Sequence, residues 1–182
     1  MGIRIALIPG SFKPYHKGHD ELVRLAAAEN DVVHVYYSTS KRGEISGASM
    51  KIVMEVFIVP TFANSNVVFI EAKITPVTSV FQELEAAEVE GSSDTYTVYS
   101  DAEDVLKYTP KKLEKSAPTL YKEGRVGTRG VERGVETTDV SGTLMRSYLE
   151  TGDAVAFAAM LPASVRSKAH EIMNILKSPR SA

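Results

Sequence analysis

Two histidines, His16 and His19, stand in the stretch Gly10-Ser11-Phe12-Lys13-Pro14-Tyr15-His16-Lys17-Gly18-His19. Imidazole N–H groups can donate to phosphate oxygens, and glycine at 10 and 18 lets a ligand come close to the main chain. The apolar run Ile3-Arg4-Ile5-Ala6-Leu7-Ile8 ahead of the stretch reads as a buried strand. Residues 21–28 after it read as a helix. A strand, a glycine-containing turn and a helix start make an anion site, because free N–H groups and the positive end of the helix dipole face the turn. The chemistry expected here is the holding of a nucleotide by its phosphates, with Gly10, Ser11, Phe12 and Gly18 against the ligand.

A second constellation is Val140-Ser141-Gly142-Thr143-Leu144-Met145-Arg146. Ser141 or Thr143 can cap a helix by accepting an N–H bond. Arg146 then falls one turn inside that helix, on the side of the cap. Hydroxyls, free N–H groups and a guanidinium that binds two phosphate oxygens at once suit a triphosphate tail.

The elements that must position these residues alternate between strand and helix. Residues 32–37 and 66–70 are β-rich, as are 96–99, and a fifth short strand is expected near 130–137. Residues 48–63 and 77–90 have helical spacing, with Pro76 ahead of the second where proline suits a first turn. A short helix is expected over 101–107, and three more over 142–149, 154–160 and 164–177. Residues 38–47 read as a polar loop. Residues 108–139, rich in glycine, lysine and arginine, read as long loops, of which 108–134 are expected to order when an acceptor binds. Apolar strands alternating with helices mean a parallel sheet covered on both faces. Such sheets bind ligands beyond the carboxyl ends of their strands. The expected fold class is α/β: a Rossmann-like, doubly wound, five-stranded parallel sheet with helices on both faces and a C-terminal helical segment. One domain is expected, with residues 1–162 as the body and 163–182 as a C-terminal helix and tail of the same domain.

Gly10, Phe12, Pro14, His16, Gly18 and His19 together resemble the G-x-F-D-P-x-H-x-G-H signature of the HxGH nucleotidyltransferases, the cytidylyltransferase-like superfamily. The piece His-Lys-Gly-His looks nearest to the archaeal-type nicotinamide-mononucleotide adenylyltransferases. Ser141, Thr143 and Arg146 match the superfamily's second signature, Ile-Ser-Ser-Thr-x-x-Arg, with Gly142 in place of a serine. Lys13 departs from the pattern, which carries Asp, Asn or Gln there. It would send a positive charge toward a phosphate or point to solvent.

The resemblance implies transfer of a nucleoside monophosphate, AMP or CMP, from ATP or CTP to a phosphorylated small-molecule acceptor, with release of pyrophosphate. It implies that His16 and His19 donate to the α- and β-phosphates, while Ser141, Thr143 and Arg146 hold the outer ones. Lys41 follows the second strand, where several relatives use a lysine on the transferred phosphate. Asp101 follows the fourth strand, where relatives contact the nucleotide or its metal; it could equally cap the next helix. Lys13, Arg42 and Arg129 are candidates for an anionic acceptor, and Arg125 and Arg133 belong to the same basic series. Magnesium is expected as cofactor, held mainly by substrate phosphates rather than by protein ligands.

Composition sets limits. The chain of 182 residues carries 21 lysines and arginines against 23 acids, net −2, with no cysteine. That balance argues against broad binding of nucleic acid. A structural disulfide and a cysteine zinc site are excluded. No apolar stretch has the length of a membrane span, and no leader pattern opens the chain. A cytoplasmic protein without nucleic-acid or membrane partners is expected, with homo-oligomerisation left open. Two other classes share these features: a catalytically inactive nucleotide-binding regulator on the same fold, and a fragment of a class I aminoacyl-tRNA synthetase. The latter lacks its lysine-rich second signature here.

Overall fold

The computed structural model describes residues 2–178. Five strands, β1 (Arg4–Gly10), β2 (Val32–Tyr37), β3 (Val67–Glu71), β4 (Thr95–Asp101) and β5 (Val126–Val131), form one sheet in the order β3-β2-β1-β4-β5. Every neighbouring pair is parallel, with Ile5 beside Val32 and Tyr96, and Tyr96 beside Val126. The chain therefore winds outward from β1 in one direction and, after β3, returns to the other side at β4. That reversal is the switch point of a doubly wound sheet. The helices are α1 (Lys17–Glu29), α2 (Gly47–Val53), α3 (Pro76–Glu90), α4 (Pro110–Ser116), α5 (Pro118–Lys122), α6 (Gly142–Thr151), α7 (Ala154–Met160) and α8 (Ala169–Lys177). Among the described residues no helix is long and apolar enough to cross a membrane.

The chain divides into two compact units. One holds the whole sheet: Met1–Gly10, Leu22–Tyr37 and Asn66–Glu132. Alternation along the strands sends Ile5, Leu7, Tyr96 and Val98 to one face, where they pack with Val80, Leu84 and Ala87 of α3, with Leu113 of α4 and Leu120 of α5, and with Ala117 between those two helices. On the opposite face Tyr99 donates to Glu29 at the end of α1 (2.8 Å), and its hydroxyl accepts from Asn30 (2.9 Å). Thr75 caps α3 by accepting from Thr78 N, and Pro76 occupies the first turn. Gly91, with φ +65°, closes the helix in the left-handed conformation.

The other unit holds Ser11–Glu21, Ser38–Ser65 and Arg133–Ala182. Ser46 caps α2, which runs on through a π turn (Met54–Ile58) and a 3-10 turn (Val59–Phe62) rather than as one α-helix to residue 63. Pro60 explains the change of winding, because it has no N–H to continue the α ladder. α6 packs on α7, and α8 packs on α2 and α7.

The long loop expected over 108–139 is corrected. Thr109 accepts from Lys112 N and Pro110 fills the first turn of α4; Pro118 does the same for α5. Tyr108, Leu113, Ala117 and Leu120 are core residues, so burial of that apolar stripe outweighs the density of lysine. The fifth strand lies at Val126–Val131, upstream of the expected 130–137, and Val135–Thr137 is a 3-10 turn. Residues 101–107 shorten to a 3-10 turn at Asp104–Lys107. The part of the expected C-terminal tail beyond Ser178 lies outside the described residues.

Candidate active site

The site is described within the second unit. His16 stands at the N-cap of α1, and its Nδ1 accepts from Gly18 N (3.1 Å) and His19 N (3.3 Å). This is a cap made by imidazole rather than by a hydroxyl or carboxylate. His19 Nδ1 in turn accepts from His16 N (3.2 Å). The rings stack at 3.6 Å between centroids, 14° apart. In a neutral imidazole one nitrogen accepts and the other carries the proton. Both rings are therefore fixed with Nε2–H as the donor. Both are also held neutral. Burial pushes His16 down to about 3, aided by the nearby positive charge of Arg133. Burial, His16 and Arg133 together hold His19 well below the ordinary imidazole value.

Phe12 underlies the pair. It takes a positive φ of 50°, which costs a non-glycine residue about 1 kcal/mol. Packing offsets that cost: the buried ring meets His19 at 4.7 Å and Tyr15 at 5.2 Å, both edge-on. Tyr15 is buried as well and donates to Asp20 on the first turn of α1 (3.0 Å). The turn is thus held by aromatic contacts on one side and by the helix cap on the other.

Lys13 turns inward, to neither of the places its sequence position offered. It is only 2% exposed, and its ammonium donates to Ser38 O (2.8 Å) and Ser11 O (3.1 Å). Burial, and then Arg42, lower it to about 8. Lys13 O accepts from Arg146 Nη1 (2.8 Å), while Arg146 Nη2 donates to Thr143 Oγ1 (3.2 Å). A Cβ on Gly142 would sit 3.0 Å from Arg146 Nη1, so glycine there leaves the guanidinium its path. Of the two cap candidates, Ser141 caps α6, accepting from Leu144 N (3.1 Å), while Thr143 accepts from Arg146. Arg42 and Ile45 pair their main chains in a small hairpin around Gly43, and Lys41 stands exposed beside it. Burial, and then Arg42, lower Arg146 as they lower Lys13, so Arg42 stands close enough to repel both. Beside them Gly43, Ile45, Thr143, Arg146, Ser147 and Glu150 line a cavity of about 560 Å³.

Arg133 completes the site. Its Nη1 donates to Val140 O (2.8 Å) and Thr137 O (3.3 Å). A Cβ on Gly18 would lie 2.4 Å from Nη1 and 3.0 Å from His16 Cε1. Glu21, one turn into α1, holds the same loop by accepting from Gly134 N and Thr137 Oγ1, each at 3.0 Å. The sequence reading placed Arg133 only in a basic series. What marks it is contact with Gly18 from a distant segment, which no local pattern carries.

The remaining candidates lie in the sheet unit. Gly10 ends β1 beside Tyr37. Asp101 caps the turn that follows it, accepting from Asp104 N (2.8 Å) and Glu103 N (3.1 Å). Arg129 is paired with Glu29 through Nε and Nη2, both at 3.2 Å.

No family model matches the chain, and no curated protein matches it in sequence. Solved structures do match in fold. One is a Vibrio parahaemolyticus protein provisionally assigned as a nicotinate-nucleotide adenylyltransferase, at TM-score 0.61 and 14% identity, covering 98% of each chain. Another is Thermotoga maritima TmcAL bound with alpha-thio ATP, at TM-score 0.53 and 12% identity. The match covers 96% of this chain but 56% of that one. At such identities the likeness establishes a Rossmann-like α/β fold, and the chemistry must be argued from the site.

Proposed function

We propose that the protein is a nucleotidyltransferase that moves AMP or CMP from the corresponding triphosphate to a phosphorylated small-molecule acceptor. The observation that carries this reading is the pair of stacked, neutral histidines capping α1, each with its Nε2–H left to donate. A cap that consumes Nδ1 turns both imidazoles into directional donors at a helix N-terminus, where anions bind. The fold neighbours, one solved with an ATP analogue, support nucleotide as the ligand.

In this reading an acceptor phosphate oxygen attacks the α-phosphorus in line, and pyrophosphate leaves with the bridging oxygen. The attacking group is already anionic, so no protein nucleophile is needed. The protein positions both substrates and stabilises charge that develops on phosphate oxygens. His16 and His19 donate to the phosphates nearest the reaction. Arg146, steadied by Lys13 O and Thr143, faces the outer phosphates with Ser141, Gly142 and Thr143. Lys41 and Arg42 stand on the hairpin beside them, and the adjoining cavity gives an acceptor room. Lys13 acts from beneath, tying Ser11 to Ser38. His16, His19, Lys41, Arg42 and Arg146 offer N–H donors to phosphate oxygens, and Ser141 and Thr143 add hydroxyls. Among the described residues no three acids or histidines gather to hold a metal. Magnesium would enter on the triphosphate and supply charge neutralisation there.

The test is pyrophosphate release, with magnesium, from ATP and CTP against a panel of phosphate monoesters. Release that requires both a triphosphate and an acceptor is expected. Nucleotide binding without release from any pair would favour a regulator on the same fold.

A further inference from the structure

Building on the nucleotidyltransferase reading, we infer that Arg133 is a further catalytic residue: its guanidinium supplies the fixed positive charge at the head of α1, against the phosphates that His16 and His19 bind.

Neutral imidazoles donate hydrogen bonds but bring no net charge. A phosphate site built on them needs a cation from elsewhere. Arg146, steadied by Lys13 O and Thr143 at the start of α6, serves the outer phosphates in this reading. Lys13 is buried on two carbonyls. Arg133 is the cation whose field reaches both histidines. Its guanidinium lies against the first turn of α1, where any side chain at position 18 would collide with it.

Arg133 is also preorganised. Two carbonyls fix Nη1, and Glu21 fixes the loop that carries them. Among the described residues no carboxylate pairs with it. Nε and Nη2 keep their N–H groups for a ligand, in the planar fork that suits phosphate. During transfer a bond forms from the acceptor oxygen to the α-phosphorus. The bond from that phosphorus to the bridging oxygen breaks, and its electron pair leaves with pyrophosphate. Charge rises on the bridging and equatorial oxygens. A fixed guanidinium there needs no reorganisation to stabilise it.

The test compares wild type with R133Q, R133M, R133K and G18A by calorimetric binding of magnesium pyrophosphate and by turnover of the best triphosphate–acceptor pair. R133Q is expected to bind pyrophosphate roughly tenfold or more weakly and to lose turnover on the order of 100-fold, as for removal of one preorganised donor. R133K, keeping charge without the fork, should recover part of the binding. G18A crowds Arg133 Nη1 and His16 Cε1 together, so it should weaken binding through both. If R133Q fails to fold by circular dichroism, R133M, which also removes the charge, decides the matter. Folded R133Q or R133M that binds pyrophosphate and turns over within about twofold of wild type overturns the assignment. Wild type that binds pyrophosphate through Arg133 but transfers nothing supports the assignment and overturns the transfer reading alone.

Discussion

The two units treat charge in opposite ways. In the sheet unit bases meet acids: Arg4 pairs with Asp31 (3.3 Å), Arg129 with Glu29 (3.2 Å), His34 with Glu83 (2.9 Å), and Arg125 with Glu123. In the other unit the helix surfaces carry similar pairs, Lys51 with Glu55 and Lys168 with Glu171. Around the turn the pattern stops. Among the described residues the bonds of Lys13, Arg133 and Arg146 go to carbonyls or a hydroxyl, none of the three is in an ion pair, and Arg42 adds repulsion to the burial of Lys13 and Arg146. Partly buried cations without an ion-pair partner are a standing cost, which a bound anion would relieve. Paired charge marks the scaffold; unpaired charge marks the site.

The largest break in that contrast should come from His16→Asn. Asparagine is a good N-cap and can accept from Gly18 N and His19 N, but it lacks the reach of Nε2–H. Turnover should fall on the order of 100-fold while the melting temperature barely moves. A variant with near-normal turnover at saturating substrate would remove His16 from the phosphate site.

A middle-sized effect should come from Lys13. Its folded value of about 8 lies below the ordinary 10.5. Between those values the unfolded chain binds more protons than the folded one, so stability rises as pH climbs from about 8 toward 10.5. The same contribution is lost as pH falls back through about 8. Urea denaturation across that window should show the slope in wild type, and Lys13→Met should flatten it. A slope that survives in the variant would mean that another group titrates there.

The smallest effect is expected from Arg129→Ala. The Arg129–Glu29 pair is about half exposed, with side chains 47% and 36% accessible. Such exposed pairs contribute little to stability. Denaturation midpoints should shift slightly and turnover should hold. A collapse in turnover would bring the sheet unit's charges into the site and end the contrast between the units.

Much of this was legible in the sequence, for identifiable reasons. β2 was readable to the residue because Val32–Tyr37 is a β-rich run bounded by polar residues. The turn ahead of α1 was readable from its glycines, proline and histidines, but the helix begins at Lys17, four residues before the expected 21, because His16 caps it through Nδ1 where a hydroxyl or carboxylate is the usual signal. The cap of α6 was readable as Ser141 or Thr143, and Ser141 takes it. The helices α4 and α5 were hidden by lysines, although Thr109-Pro110 is a start signal and Leu113, Ala117 and Leu120 make an apolar stripe. β5 was displaced because glycine and arginine within it look like loop. Lys13 could not be read because its partner carbonyl on Ser38 is set by tertiary folding. Arg133 was invisible for the same reason, since its neighbour Gly18 lies far away in the chain.

The close approach at Gly47 has a consequence for anyone wishing to retune the protein. A Cβ there would fall 1.6 Å from Thr39 O, so the start of α2 and the segment after β2 touch main chain to main chain. Ser46 is buried in its cap and Ile45 is fully buried behind it. Those positions are closed to diversification. Between them Ser40, Lys41, Arg42, Gly43 and Glu44 are all exposed, on a hairpin whose ends are clamped. Gly43 alone must stay, for its φ of +59°. A library confined to 40, 41, 42 and 44 would therefore vary what the loop shows to the adjoining cavity while leaving its anchors untouched.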